Sequence, residues 1–432
     1  LPYTQYTQSS FTAELAQILS DPNHVYWAQD ELVRALNEAM LLWGAITSYW
    51  TIRSTFTTSS GAPFYDLAAQ FPALRARTYT FDDLTKEMQY HLLEPPSGVA
   101  GTGMTDQFTI GQITNSLSRR RNEFVIDSRI PLTFAVIPGP VPPANQVTLS
   151  QSVALIARAA WIDTATGKIT PLRRTDSFAA QSYRPNWNLT PAKPYGYSQV
   201  EAMPGTMNVI PPPIAAGSIH LTYAQTLQLS VAAATPFLVP DELVCALKYG
   251  ALNDVLCTNS QGFDPIRSKY CEERYSSLLD LAVLHRSVIQ VRVSNKLMPL
   301  DTLASLDSHK PYWQTATGIP QIAACAYDLL AFYKVPNSAY TITCDLVQSA
   351  PIPHLPGDFI QLGPEEMPYI FDYCRHVLQI KVGGVEFVQS MPLLDNFLKG
   401  ATQRSKLITY KARYLTPLFS QSQKEEQEAP AA

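Results

Sequence analysis

Residues 29–50 read QDELVRALNEAMLLWGAITSYW. Leu32, Leu36, Ala39, Trp43, Ile46 and Trp50 recur at alternating spacings of four and three, which puts all six on one face of an α-helix. A stripe this regular and this apolar must be covered. Upstream, FTAELAQILS (11–20) has the spacing of a shorter amphipathic helix that Asp21-Pro22 stops, so residues 1–50 form a helical hairpin with Trp27 in its turn.

The same order returns downstream. Thr80 is a good N-cap for a helix through Phe81, Leu84, Met88 and Leu92, Pro95-Pro96 ends it, and a longer helix covers 108–127. Trp27, Leu32 and Leu36 align with Phe108, Ile113 and Leu117 at one offset of 81. A second duplication follows. Pro171-Leu172 matches Pro299-Leu300, Arg184-Pro185-Asn186-Trp187 matches Lys310-Pro311-Tyr312-Trp313, and Pro240-Asp241-Glu242-Leu243 matches Pro364-Glu365-Glu366-Met367, with offsets drifting from 128 to 124. Tyr249 and Phe263 find Tyr373 and Phe387. The expected fold is α+β, helical hairpins combined with small antiparallel β-sandwich or barrel domains and duplicated internally. Its segments are a hairpin at 1–50, a short β or linker segment at 51–80, a second hairpin at 81–130 and a β domain at 131–240. A third hairpin at 241–286, a second β domain at 287–363, a fourth hairpin with its C-terminal segment at 364–420 and a flexible tail at 421–432 complete it.

With 46% hydrophobic and 16% charged residues the 432-residue chain has enough apolar surface to order several cores. A formal net charge of −4 argues against a protein that neutralises many phosphates. The 34 prolines and 22 tyrosines suit loop-rich β structure and aromatic contact surfaces. No run approaches a membrane span, and the opening LPYTQYTQSS has no secretory pattern. Six cysteines lie in the second half without metal-ligand spacing and read as reduced, buried thiols.

Motifs that suggest chemistry have simpler readings. Gly98-Val99-Ala100-Gly101-Thr102-Gly103 follows a helix and a double proline, not a strand, and no Walker lysine follows it, so it reads as a plain loop. The seven histidines show no paired ligand spacing. Asp82-Asp83, Asp241-Glu242 and Glu365-Glu366 each stand where a helix begins, and capping explains them. Arg119-Arg120-Arg121 points in several directions on a helix; it reads as a solvated face paired with carboxylates such as Glu123, the alternative being contact with an acidic partner or DNA. No cofactor, metal or catalytic set is expected.

The chain resembles the head-to-tail adaptor (neck, or connector) proteins of tailed bacteriophages. The likeness lies in Phe11-Thr12-Ala13-Glu14-Leu15, the loop with Asp21 and Trp27, the helix from Asp30 to Ala39, the Trp187 turn, Ile210-Pro211-Pro212-Pro213, and Pro240-Asp241-Glu242-Leu243 with Tyr249-Gly250-Ala251-Leu252. It is best over 11–50 and 185–285, and the further copy at 299–385 makes this chain longer than simple adaptors. The resemblance implies a structural virion protein, not an enzyme. It would form a ring of about twelve copies beneath the portal protein, contacting other adaptor subunits and tail or fibre proteins, with DNA passing through unread. Localisation would be the virion neck, with host cytoplasm during assembly. Trp27, Leu32, Leu36, Trp43, Ile46 and Trp50 are the expected subunit or portal interface, and Arg119, Arg120 and Arg121 the acidic-partner or DNA-facing set. Trp43→Asp would then abolish docking while sparing the β domains. The rival expectations are a tail-hub or fibre-anchoring virion protein and a carbohydrate-binding or hydrolytic module with a tryptophan-lined groove.

Overall fold

The computed structural model describes residues 5–93, 108–199, 205–226, 234–258, 262–284, 287–310 and 312–410. The glycine-rich stretch 98–103, His285 and the tail 421–432 lie outside these residues.

In chain order, α1 (Gln8–Ile18) and α2 (Gln29–Thr47) lead into β1 (Thr51–Thr57), β2 (Phe64–Asp66) and the single turn α3 (Leu67–Gln70). A second pair, α4 (Phe81–His91) and α5 (Ile110–Ser128), leads into β3 (Leu132–Pro138), β4 (Gln146–Thr148), β5 (Val153–Asp163) and β6 (Ile169–Arg174). After α6 (Ser177–Tyr183) come β7 (Gly196–Gln199), β8 (Thr206–Ile210) and β9 (Gly217–Gln225), then α7 (Val244–Leu256) and α8 (Pro265–Leu284). Next are β10 (Val288–Val293), β11 (Lys296–Met298), β12 (Leu300–Thr302), α9 (Leu303–His309), β13 (Thr317–Gly318), β14 (Ile322–Ala326), β15 (Leu329–Tyr333), β16 (Val335–Pro336) and β17 (Thr341–Val347). The helices α10 (Met367–Val382), α11 (Gly384–Gln389) and α12 (Met391–Tyr410) complete the described chain. The fold is α+β, with mostly antiparallel sheets.

The duplication extends through the backbone. Both α1 and α4 have 11 residues and begin with a capping box, Thr7 with Ser10 and Thr80 with Asp83, which satisfies orphan amides of the first turn. Both α2 and α5 have 19 residues and end in a left-handed residue, Ser48 at φ 53 and Arg129 at φ 60, 81 positions apart. The strands β1 and β3 start at the same offset and pair with their sheets in equivalent register: Thr51 faces Val347, and Leu132 faces Ala224.

These pairings define two equivalent modules. The inner one is continuous, from α4 to α8. Its seven strands run β3-β9-β5-β6-β7-β8-β4 and curl over a shared core that includes Val147, Trp161, Met207 and Leu221. The outer one is split around it. Its strands form two sheets, β1-β17-β10-β11 and β12-β14-β15-β2, which follow the same order with the counterpart of β6 broken at Pro299. Residues 51–80, expected as a separate linker segment, therefore supply β1 and β2 to sheets whose other strands lie beyond residue 287. An edge strand needs a ladder, and the equivalent of the partner that serves β3 is β17.

All four hairpins share one core. Every residue of α2 from Glu38 to Ala45 is buried, as is every residue of α7 from Val244 to Leu252, so each is enclosed on all sides. The six-residue stripe accordingly faces the chain's own interior, five of its members from α2 and Trp50 from beyond the left-handed Ser48 that ends the helix, not from the helix face expected. Trp27, Leu32, Leu36, Trp43 and Trp50 are buried and Ile46 is half-buried against the same core. That corrects the expectation of a subunit or portal interface at these residues: the modules themselves cover the stripe. Trp43 lies against Tyr369 at 5.8 Å and Phe397 at 5.5 Å, and Trp50 donates its indole N–H to the Gln361 carbonyl.

Candidate functional site

The modules meet across two buried ionic groups and one β contact. In the first group Glu38 of α2 is the hub. Tyr249 of α7 and Tyr373 of α10, equivalent positions in the two modules, each donate a hydroxyl proton to the same Glu38 oxygen at 2.9 Å. Lys248 pairs with Glu38 and lies 3.4 Å from Glu87 of α4. Arg274 donates to the Tyr373 hydroxyl at 3.3 Å. Burial lowers the Lys248 pKa and the two carboxylates outweigh it, leaving it above the usual lysine value. Burial pushes Glu87 up to about 7, Glu38 adding to the effect while Lys248 and Arg34 oppose it.

In the second group Arg75, reaching from the segment after α3, contacts Glu242 at 2.7 Å and Asp328 at 2.9 Å and donates to the Val347 carbonyl. Tyr327 and Ser349 also donate to Glu242, at 2.8 and 3.1 Å. Asp241 accepts from the Thr78 amide and hydroxyl and from the Tyr79 amide. The capping explanation thus holds for Asp83 and is corrected for Asp241-Glu242, whose partners come from the other module or the segment joining the two. It is corrected for Glu366 too, which pairs with Arg404 at 3.1 Å and caps nothing with its side chain. Charges buried this deep are tolerable only with partners in place.

The third contact joins the β parts. Phe134 of β3 packs on Phe64 of β2 at 4.7 Å, and Arg158 of β5 donates to Asp307 of α9 at 2.8 Å with its guanidinium 5.1 Å from the Trp313 ring. A cavity of about 470 Å³ borders this contact, lined by Arg129, Arg158, Asp301, Thr302 and Asp307 among others.

The arginine run is committed internally. Arg119 and Arg120 both pair with Asp254, and Arg120 also reaches Glu272 and lies over Tyr275. Arg121 has no exposed surface and donates to the Phe237 and Gln225 carbonyls. A DNA-facing role is corrected for Arg120 and Arg121, whose side chains are used in packing α5 against the rest of the inner module; Arg119 alone of the three keeps substantial exposure. The cysteines are free, four of them buried, with Cys257 exposed. His376 is held between Tyr270 and Ser390, and burial pushes it down to about 4. Among the described residues no three His, Cys, Asp or Glu side chains are grouped to hold a metal ion, and no helix is long and apolar enough to cross a membrane.

The exposed side of the molecule is where unused contact chemistry lies. Phe178 and Tyr183 on α6 are 81% and 86% exposed, and Leu189 and Ile214 nearby are also uncovered. The buried groups were not visible in the sequence because Glu38, Lys248 and Arg121 look like ordinary polar positions of amphipathic helices. The signal that could have exposed them is the extension of the offset of 81 through the caps and into β1 and β3. The chain matches no protein-family model and no curated protein.

Glu87 yields a pH prediction. The folded state keeps its proton up to about pH 7, whereas the ordinary value is 4.5, so folded molecules bind more protons across that window and stability falls as pH rises through it. Glu87→Gln removes this dependence. Its stability relative to the parent, measured by urea unfolding, should climb by up to about 3 kcal/mol between pH 5 and pH 8. A pH-independent difference would mean that Glu87 is ionised throughout.

Proposed function

We propose that this chain is a structural protein of a tailed-phage virion, a head-to-tail adaptor that forms a ring below the portal and lets DNA pass. The observation that carries the reading is the use made of its chemistry. Its buried carboxylates, lysine and arginines join two copies of a hairpin-plus-sheet module, while aromatic side chains are left on the outside, where a protein that works by docking needs them. The resemblance in the hairpin openings and the Trp187 turn supports the same reading, and the modest negative charge suits a passage that holds no DNA. The nested duplication also suits a tail-hub or fibre-anchoring protein, because two linked copies per chain can mediate between rings of different symmetry. All six tryptophans are buried, which opposes a tryptophan-lined carbohydrate groove.

The test is mass measurement by light scattering, with particle imaging, of the chain alone and mixed with its cognate portal ring. A ring seated on the portal is the expected result. A chain that never binds the portal in any mixture would remove the adaptor reading in favour of the tail or fibre one.

A further inference from the structure

The contact between the two β parts is heterologous: it uses different faces of two equivalent modules, so each module has one face left over. In the inner module the face in use is a row across the sheet, Phe134 opposite Thr222 and Thr222 opposite Arg158. In the outer module the same row is Arg53 opposite Asp345 and Asp345 opposite Gln290. On the receiving side the outer module uses α9 and Trp313, whose inner equivalents are α6 and Trp187, 126 positions earlier. Asp307 therefore corresponds to Gln181, and Arg158 to Gln290.

Burial follows this division. Residues 132–135 of β3 are half-covered, whereas Thr51, Ile52 and Arg53 of β1 are exposed. Each helix buries one equivalent residue, Leu306 of α9 and Ala180 of α6, but Leu303, Ser305 and Asp307 of α9 are half-covered whereas their counterparts Ser177, Ala179 and Gln181 of α6 are exposed. The two open faces are chemically matched. One carries Arg53 and Arg292 around Asp345, and the other carries two exposed aromatic rings. Guanidinium over aromatic is already the chemistry of the internal contact, in Arg158 over Trp313. The two open faces carry Gln146 and Arg53 where the internal contact has Phe64 and Phe134, and their exposed apolar side chains are Phe178 and Tyr183, at the positions of Ala304 and His309.

We propose that the α6 face of one chain docks on the β1/β17/β10 face of a second copy, repeating between molecules the contact that joins the two modules within one. A heterologous contact repeated with constant rotation closes into a ring or runs on as a filament. The proposal rests on the ring-forming part of the function given above, and supplies the surface that makes the ring.

The full chain is compared with Phe178→Asp/Tyr183→Asp and with Gln181→Asp/Gln290→Arg by light scattering over a concentration series, with circular dichroism to verify folding. The first pair lies on exposed positions and should leave the spectrum unchanged while making the protein monomeric throughout. The second pair recreates the Arg158–Asp307 bridge between molecules and should shift self-association to lower concentration by roughly tenfold. Association unaffected by either pair, or a parent chain monomeric at every soluble concentration, overturns the proposal. So does a first variant that still self-associates but no longer binds the portal, since the patch would then belong to the portal. The adaptor reading falls separately, only if the parent chain fails to bind the portal ring.

Discussion

Trp43→Asp is expected to leave no cooperatively folded protein. Trp43 has no exposed surface and lies between Tyr369 of α10 and Phe397 of α12, so an aspartate there puts a charge among aromatic rings. The milder Trp43→Ala removes the same contacts and leaves a cavity, at a cost of about 3–5 kcal/mol. Urea unfolding followed by far-UV circular dichroism reads both. A soluble Trp43→Asp protein with native stability and a defect only in assembly would return this face to the role of an interface.

Lys248→Met should be nearly as damaging. It strands Glu38 and Glu87 in the protein interior with the nearer cation gone, and breaking a buried pair from one side costs about 3–5 kcal/mol. Glu87 can relieve part of this by holding its proton, so the loss should be smaller at pH 5 than at pH 8. Adding Glu38→Gln to Lys248→Met removes the stranded charge at the hub while keeping an acceptor for Tyr249 and Tyr373, and should recover part of the loss. Equal losses at both pH values with no recovery would mean that Lys248 acts through packing alone.

What the sequence made legible was local or periodic. The stripe on α2, the Thr80 cap, the copying of the hairpin and the Arg184/Lys310 turns all depend on residues a few positions apart, or on identical order at a fixed offset. The choice of partner was not legible. Arg53 bonds to Asp345 and Arg75 to Asp328, each more than 250 positions away, and no short window contains both members. Acidic residues at the start of a helix look like capping until an arginine from a distant segment is placed beside them, which is how Glu242 came to be misread. Arg121 looked solvent-facing because polarity is a statistical guide to exposure, and a helix covered by the rest of its own module departs from it. The stripe itself was read correctly as needing cover. Only the origin of the cover was wrong, because offsets reveal copies without revealing which strand completes which sheet.

The nesting of one module inside the other also sets a timetable for synthesis. The inner module is complete once residue 284 has been made, whereas β1 and β2 precede it and must wait for β10 to β17. At about 5–20 residues per second, the interval between β1 and β17 is roughly 15–60 s of translation. During that interval two early strands have unmatched backbone amides and carbonyls, and the sheet of the inner module is the nearest template for them to pair with wrongly. The short length of β2 and the charged side chain of Arg53 on β1 are the kind of feature that discourages such pairing.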